Sequence, residues 1–423
     1  MSVFIIAEAG VNHNGNLETA YQLVDAAVAA GADAVKFQTF KAENLVTQHA
    51  GKAAYQKITT AADENQLTML KRLELKYELH FQLLAYCQKL GIEFLSTAFD
   101  FESLDFLVRE LCVETLKIPS GEITNGPFLL AHAQTGKQII LSTGMATLGE
   151  VETALGVLAF GYIATAMEGG SVAICKEPMR PTAMEGGSVA IFKEPMRPTA
   201  MEGGSVAIGR EPMRPTATDG GSIAINRKPM RQQPSINAFQ QAYSSEQGQT
   251  LLREKVTLLH CTSEYPTPME NINLKAMDVL QQAFGLRVGY SDHSVGLVVP
   301  IAAAARGATV IEKHFTLDRT QQGPDHQVSL EPDELKSMVH GIRDVEKALG
   351  QKLKCPQPLE LENQKVVRKS LVAGRAISAG ECFTETNLAI KRPGTGKSPM
   401  DYWALLGESS NRNYDTDEVL KND

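Results

Sequence analysis

The chain has 423 residues, a formal net charge of −8 at pH 7 and 43% hydrophobic residues. The negative charge argues against nucleic acid or an anionic membrane as a main partner, although a few lysines can still bind an anionic small molecule. The N-terminal MSVFIIAEAG has no basic region or cleavage site, and no apolar run reaches the roughly 18 residues of a membrane span. Six scattered cysteines without a CxxC pair indicate unpaired thiols and no zinc framework, so we expect a cytoplasmic protein.

Short apolar strands alternate with segments of helical spacing through most of the chain. The strands are VFIIAE (3–8), AVKFQ (34–38), EFLST (93–97), TLKIP (115–119), QIILS (138–142), VTLLHCT (256–262), RVGYS (287–291) and VIEKH (310–314). The helical segments are 17–30, 60–90, 103–108, 149–160, 274–284, 296–306 and 332–349. This alternation predicts an α/β fold, a (β/α)8 TIM barrel, over residues 1–350. In that fold the active site lies where the strands end, so polar residues there are the candidates for chemistry.

The remaining segments differ in composition from the barrel. A linker rich in Pro and Gln is predicted at 351–365, followed by a small, mostly β domain at 366–423. From about 164 to 233 a 17-residue unit repeats, with MEGGSVAI starting at Met167, Met184 and Met201. Each copy buries little apolar surface against its ordering entropy, which favours a mobile insertion over a small repetitive β structure. The repeats precede the sixth strand, on the face opposite the predicted site, so their deletion should preserve turnover.

Side-chain alternation along the strands brings several polar residues to the predicted barrel mouth. Glu8 and Glu312 are carboxylates at inward-facing positions, and Lys36 faces inward from the second strand. His293 and His314 end adjacent strands, and two imidazoles with open positions suit a divalent first-row metal. Ordinary hydrogen-bonded packing of the two histidines is the alternative.

Lysines and hydroxyl-rich loops predict an anion site at the same mouth. An inward lysine, such as Lys36 or Lys117, is costly to bury unless it meets an anion. The loops SGE (120–122) and STGM (142–145) offer hydroxyl and N–H groups for phosphate or carboxylate oxygens. Plain turns are the alternative for both loops. Arg392 lies in KRPGTG, within the predicted small domain, and composition alone favours a surface position for it.

Ten motifs, in order along the chain, resemble those of the sialic acid synthase family, which makes N-acetylneuraminate and related nonulosonates. They are AEAGVNHNG (7–15), VKFQTF (35–40), FLSTAFD (94–100), KIPSGE (117–122), ILSTGMAT (140–147), LLHCTSEYPTP (258–268), GYSDHS (289–294), IEKHFTLD (311–318), GPDH (323–326) and KRPGTG (391–396). The resemblance implies a TIM barrel followed by an antifreeze-like (SAF) domain. It also implies condensation of phosphoenolpyruvate with an N-acetylated hexosamine aldehyde and release of phosphate.

The resemblance further implies roles for individual residues. Glu8 matches the catalytic glutamate, and His293 and His314 match ligands of a divalent ion, Mn²⁺ or Mg²⁺. Positions that hold phosphoenolpyruvate match Lys36, Thr97, Lys117, Ser120 and Ser142, and positions near the sugar match Gln38, Tyr265 and Asp325. Arg392 matches an arginine that reaches the site of the other subunit in a domain-swapped homodimer.

The identity of the sugar and the type of reaction stay open at this point. The sugar is N-acetylmannosamine, or a 2,4-diacetamido-6-deoxy hexose that leads to legionaminate. Ser263 and Ala98, which replace Asn and Pro of some family members, leave this choice undecided. A pyruvate-dependent aldolase of nonulosonates, with Lys36 as a Schiff-base lysine, would release no phosphate. A non-catalytic sugar- or ice-binding protein would have no need of Glu8, Lys36 and the two histidines together.

Overall fold

The computed structural model describes residues 2–52, 56, 60, 64–167 and 232–421. The repeats at 168–231 lie outside the described residues, as does the prediction made for them. The chain divides into two compact units, Met1–Leu349 and Gly350–Asp423.

The first unit is built on a closed barrel of parallel strands in sequence order. The strands are β1 (Phe4–Gly10), β2 (Ala34–Thr39), β3 (Glu93–Ala98), β4 (Thr115–Ile118), β5 (Gln138–Ser142), β6 (Val256–His260), β7 (Arg287–Asp292) and β8 (Val310–His314). Strand β1 pairs with both β2 and β8, which closes the barrel and sets Glu8 opposite His314. The predicted TIM barrel is therefore confirmed, and distant parts of the sequence meet at one end of it.

Helices surround this barrel. They are α1 (Leu17–Ala30), α2 (Ala42–Leu45), α3 (Gln66–Leu73), α4 (Tyr77–Leu90), α5 (Phe101–Asp105), α6 (Gly126–Gln134), α7 (Leu148–Met167), α8 (Ile236–Ser244), α9 (Glu246–Lys255), α10 (Ala276–Phe284), α11 (Val298–Ala305) and α12 (Pro332–Leu349). Local sequence sets their ends. Asn16 caps α1 by accepting a hydrogen bond from the Thr19 N–H, and Gly31 ends the helix at φ 81°, a conformation that favours glycine.

Several helix boundaries differ from the prediction. The segment 60–90, predicted as one helix, contains α3 and α4 separated by the extended residue Glu74. The Glu74 carboxylate accepts a hydrogen bond from the backbone N–H of Ala42, which ties this break to the loop after β2. The sequence analysis did not predict α6, α8 or α9. Helix α6 has six of its nine residues buried, so its apolar residues show no clear helical spacing.

The core has an inner and an outer layer. Inside the barrel, small and aliphatic side chains fill the end where the strands begin: Ile6, Ala34, Leu95, Ile140, Leu259 and Val310. Outside it, side chains such as Phe37 and Phe94 pack against the helices. The alternation that directs Phe37 outward directs Lys36 inward, so the polar residues collect at the other end of the barrel.

Helix α7 and Cys112 bear on two expectations that were based on composition. Among the described helices, α7 has the length and apolar composition of a membrane span. Ten of its residues are buried in the protein, and Gly161 packs so closely on Ala133 that a Cβ would lie 2.6 Å away. Its composition is therefore explained by packing between neighbouring helices. In addition, Cys112 is disulfide-bonded, which contradicts the expectation of unpaired thiols at that position.

The C-terminal unit has a small core of its own. Its strands β9 (Ser370–Ala373) and β10 (Leu388–Lys391) pair antiparallel, and helices α13 (Pro358–Val367) and α14 (Tyr402–Leu405) flank them in sequence. The core side chains include Leu371, Phe383 and Tyr414. Helix α13 occupies most of the segment predicted as a linker. It starts with Pro358 in the first turn and has a capping box between Gln357 and Glu360, signals that the linker interpretation did not use.

Candidate active site

The strand ends enclose a cavity of about 370 Å³. All the site residues that the sequence predicted within the barrel line this cavity: Glu8, Lys36, Gln38, Thr97, Lys117, Ser120, Ser142, Tyr265, His293, Glu312, His314 and Asp325. Arg392 follows β10 in the C-terminal unit and is exposed there. The barrel has therefore brought together residues from the whole length of the first unit.

Two lysines and two glutamates form a buried charged network at the base of the cavity. The Nζ of Lys36 lies 2.8 Å from Glu8 Oε2 and 3.2 Å from Glu312 Oε2, and the Nζ of Lys117 lies 3.3 Å from Glu312 Oε1. Lys36 also donates to Thr97 Oγ1 at 3.1 Å, and Ser291 Oγ donates to Glu312 at 2.8 Å. With all four groups ionised the network is neutral, which makes its burial tolerable.

The two carboxylates of this network have different electrostatic environments. Burial raises the pKa of Glu8 from 4.5 to about 7, and Lys36 offsets this rise only in part. Burial also acts to raise the pKa of Glu312, but Lys117 and Lys36 together outweigh it and hold that pKa well below its usual range. Glu312 is therefore ionised at neutral pH, whereas Glu8 can gain or lose a proton there. Such a separation is typical of paired carboxylates with different roles.

Two imidazoles lie beside the charged network, with ring centroids 5.8 Å apart. His293 Nδ1 lies 2.6 Å from the carbonyl oxygen of Thr262, so Nδ1 carries the proton and Nε2 keeps its lone pair. That Nε2 lies 3.0 Å from the hydroxyl of Tyr265, which can donate to it. His314 Nδ1 is buried without a hydrogen-bond partner. Burial lowers the pKa of both histidines, that of His293 to about 4, so both rings are neutral.

Neutral imidazoles are the form that binds a divalent metal. The buried His314 Nδ1 without a partner fits this use, as does His293 Nε2, whose lone pair a cation could bind in place of the Tyr265 hydroxyl. Within the part of the chain that the structure describes, no third His, Cys, Asp or Glu completes a cluster with metal-binding geometry. These two rings could therefore hold a cation whose other ligands are water or substrate oxygens.

The loops after β4 and β5 form a compact set of hydroxyl and N–H groups. The Gly144 N–H donates to Ser120 Oγ at 3.0 Å, and Ser142 Oγ is buried without a hydrogen-bond partner. A Cβ at Gly144 would lie 2.4 Å from Ser263 Oγ, so glycine is required for this close approach. A buried hydroxyl without a partner, near Lys117, is suited to an anionic ligand.

Another part of the cavity lining, which we call the apolar wall, comes from the segment after β2. It consists of Leu45, Val46, Met69, Leu70 and Leu73. Met69 and Leu73 are fully buried and pack with Val11 and Phe40. These five side chains are apolar, in contrast to the charged base of the cavity, but Gln56 and Gln66 of the same segment also line the cavity with amide groups.

The sequence analysis did not predict this wall, nor every residue that lines the cavity. The apolar spacing of Met69, Leu70 and Leu73 signals a helix but not what that helix faces. Cys261, which also lines the cavity, has no sequence signal as a site residue. The structure also adds detail to two predicted residues: Tyr265 contacts His293, and burial raises the pKa of Asp325 to about 6.

Comparisons with known proteins agree with this geometry. A sequence model of the NeuB family matches residues 23–177 and 233–354, and one of the SAF domain matches residues 368–423. The N,N'-diacetyllegionaminic acid synthase of Campylobacter jejuni is 42% identical over 99% of this chain and 98% of its own length. The enzyme of the same name from Legionella pneumophila is 38% identical over 99% and 94%.

A solved structure gives a similar result. The N-acetylneuraminic acid (sialic acid) synthetase of Leptospira borgpetersenii, crystallised with citrate, is 29% identical with a TM-score of 0.57, over 86% of this chain and 90% of that one. The family match leaves out residues 178–232, which contain most of the repeats. The chain is thus a member of the NeuB family, with a SAF domain at its C-terminal end.

Proposed function

We propose that this protein is a nonulosonate synthase whose sugar substrate is a 2,4-diacetamido-6-deoxy hexose. The enzyme condenses phosphoenolpyruvate with an N-acetylated aminosugar aldehyde and releases phosphate, as its family and its relatives support. The product of the proposed reaction is an acid of the legionaminate type, the kind named for the Campylobacter and Legionella relatives. N-acetylmannosamine is the alternative sugar, and the Leptospira structure is the relative that favours it.

The charged network is the observation that carries the proposal. Lys36 and Lys117 are almost fully buried, yet they lie in an open cavity beside an unpartnered Ser142 hydroxyl. The two ammonium groups and this hydroxyl are hydrogen-bond donors that an anionic ligand can accept from. Phosphoenolpyruvate, with a phosphate and a carboxylate on three carbons, presents two anionic groups to such donors.

The chain's own residues account for the proton transfers of the reaction. Carbon 3 of phosphoenolpyruvate attacks the aldehyde carbon, which leaves a cationic centre at carbon 2. Water adds to that centre, and phosphate then leaves with cleavage of its carbon–oxygen bond. Glu8, with a pKa of about 7, is suited to accept one proton of that water and to pass it to the alkoxide formed from the aldehyde oxygen, while the other proton leaves with the phosphate. Lys36 and Lys117 hold the anion in place, which is worth several orders of magnitude in rate when the geometry is right.

We further propose that His293 and His314 hold a divalent cation, Mn²⁺ or Mg²⁺. When bound, such a cation supplies Lewis-acid polarisation of the aldehyde oxygen. The test is removal of metal with a chelator, followed by addition of either ion. We expect loss and recovery of phosphate release, and full activity of metal-free protein would contradict the assignment.

The apolar wall supports the 6-deoxy sugar over N-acetylmannosamine. The aldehyde end must lie near the charged base, so the other end of the sugar and its acetamido methyl groups are free to reach this wall. A methyl group can pack on Val46 and Leu70, whereas a hydroxymethyl group there loses hydrogen bonds to water unless it reaches the amide of Gln56 or Gln66. An apolar pocket rejects an added hydroxyl by up to about 100-fold.

The experiment follows inorganic phosphate from phosphoenolpyruvate with each sugar in turn. We expect kcat/KM for the 6-deoxy diacetamido sugar to exceed that for N-acetylmannosamine by about 10- to 100-fold. Leu70→Asn should reduce the ratio of the two kcat/KM values. Leu67→Asn should leave this ratio unchanged, because Leu67 lies on the same helix but does not line the cavity. Equal kcat/KM for both sugars would refute the choice of sugar, and no phosphate with any sugar would refute the synthase.

The second candidate, an aldolase with Lys36 as a Schiff-base lysine, is disfavoured by the charges around that lysine. A Schiff-base lysine must lose its proton to attack a carbonyl. Burial acts to lower the pKa of Lys36, but Glu312 and Glu8 outweigh it and raise that pKa. Lys36 is therefore an ammonium group at neutral pH, which suits an anion-binding role.

We also propose a cytoplasmic homodimer in which Arg392 of one subunit reaches the sugar of the other. Exposed apolar side chains on α13 and in the SAF domain support a partner surface. Leu359 is 89% exposed, Val366 66%, Met400 79% and Trp403 72%. Burial of such side chains between subunits would stabilise a dimer.

A further inference from the structure

We propose that a second buried ion pair, Asp292–Lys313, positions both imidazoles and is a determinant of metal affinity. This inference rests on the proposed cation site. Neither residue lines the cavity, so they are positioning residues and not catalytic ones.

The pair lies on the outer face of the barrel, directly behind the two histidines. Lys313 Nζ lies 2.6 Å from Asp292 Oδ2, and both side chains are 0% exposed. Asp292 and Lys313 are partners in the register of β7 and β8, so the ion pair joins the ends of these two strands.

The same groups hold the backbone on both sides of His293. Asp292 Oδ1 accepts hydrogen bonds from the N–H of Ser294 at 3.1 Å and from its hydroxyl at 2.8 Å. Lys313 donates to the carbonyl oxygen of Ser294 as well as to Asp292. The residues before and after His293 are thus tied to one ammonium group, and His314 directly follows the residue that carries it. Any shift of Lys313 would move both imidazoles.

A matching contact lies on the inner face. Ser291 and Glu312 are partners in the same register and are joined by the 2.8 Å hydrogen bond described above. The ends of β7 and β8 are therefore joined on both faces, one residue before each histidine on the outer face and two residues before each on the inner face. This leaves little freedom in the distance between the two rings.

Stability alone does not explain a fully buried ion pair. Removing two charges from water carries a large desolvation cost, and well-packed apolar replacements are often neutral or stabilising. An apolar pair would hold the strands together, but it would not bond to the N–H and carbonyl groups of Ser294. The geometry of these directional bonds is what an ion pair adds at this position. Groups that orient metal ligands typically change metal affinity by about 10- to 100-fold when they are replaced.

The test measures the Kd for Mn²⁺ by calorimetry on full-length protein without substrates. We expect Lys313→Met, and the double variant Asp292→Leu/Lys313→Met, to raise this Kd by about 10- to 100-fold. Asp292→Asn keeps the shape of the site, so its Mn²⁺ Kd can be measured instead if the other variants fold poorly. The matched control is Lys137→Met, because Lys137 is also a buried lysine, 2.8 Å from Glu114, at the opposite end of the barrel.

Further readouts separate positioning from a general loss of stability. Saturating Mn²⁺ should restore most of kcat in the variants, and the Kd for phosphoenolpyruvate should stay within about threefold of wild type. A wild-type Mn²⁺ Kd in folded variants would overturn the positioning role alone. A wild-type protein that binds no Mn²⁺ would overturn the cation site and this role together.

Discussion

Glu8→Gln removes one negative charge from the charged network with little change in shape. In the wild-type protein Glu8, Glu312, Lys36 and Lys117 sum to zero charge when all are ionised. The variant carries a permanent net positive charge, so phosphoenolpyruvate should bind as tightly as before or more tightly. Turnover should fall, because the amide cannot accept the proton of the attacking water. Removal of a general acid–base group costs about 10²- to 10⁴-fold in kcat.

The same substitution should change the pH dependence of stability. The folded-state pKa of Glu8 is raised from 4.5 to about 7, so its contribution to stability is complete below 4.5 and is lost as the pH rises through 7. Glutamine cannot ionise and has no such loss. The Tm of the variant minus that of wild type should therefore increase between about pH 5 and about pH 8.

The assay combines steady-state phosphate release, calorimetric binding of phosphoenolpyruvate and thermal unfolding at several pH values. Glu93→Gln is the matched control, because Glu93 begins β3 at the opposite end of the barrel and burial also raises its pKa. The control should keep wild-type kcat. A kcat for Glu8→Gln within about threefold of wild type, or a loss of phosphoenolpyruvate binding, would refute this account of Glu8.

Two other substitutions and one deletion test separate parts of the site and the chain. Lys117→Met should raise KM for phosphoenolpyruvate by about 10- to 100-fold without a similar effect on the sugar, since it removes a charged hydrogen-bond donor; equal effects on both would contradict this. Arg392→Ala should weaken sugar binding more than phosphoenolpyruvate binding, and an active monomer in size-exclusion chromatography would contradict the swapped dimer. Deletion of residues 178–232, which the family match leaves out, should change kcat by less than about twofold. A soluble, folded but inactive deletion variant would disprove that expectation.

The barrel and most of its site could be read from residue pattern. The boundaries of β5 and β8 match the prediction, because short apolar runs between helical segments leave little choice of where a strand begins and ends. The inward positions of Lys36 and Glu312 follow from strand alternation with Phe37 and Lys313 as outward neighbours. Helix α12 was predicted with its full bounds, since EPDE marks its start and its spacing is strongly amphipathic.

Other features depend on contacts between residues that are distant in sequence. The break between α3 and α4 involves Glu74 and the loop after β2, and the apolar wall exists only because α3 turns toward the cavity. Helix α6 lacks a clear amphipathic period because six of its nine residues are buried. The disulfide bond of Cys112 contradicted the prediction because cysteine spacing alone does not determine connectivity.

By itself the sequence determined which residues face the barrel mouth, because side-chain alternation and the order of strands are properties of the chain. Tertiary structure alone decided the protonation state of those residues. Glu8 and Glu312 are the same residue type on neighbouring strands, yet burial dominates the pKa of one and two lysines dominate that of the other. Such differences depend on distances of a few ångströms in a medium of low dielectric constant, which no one-dimensional pattern contains.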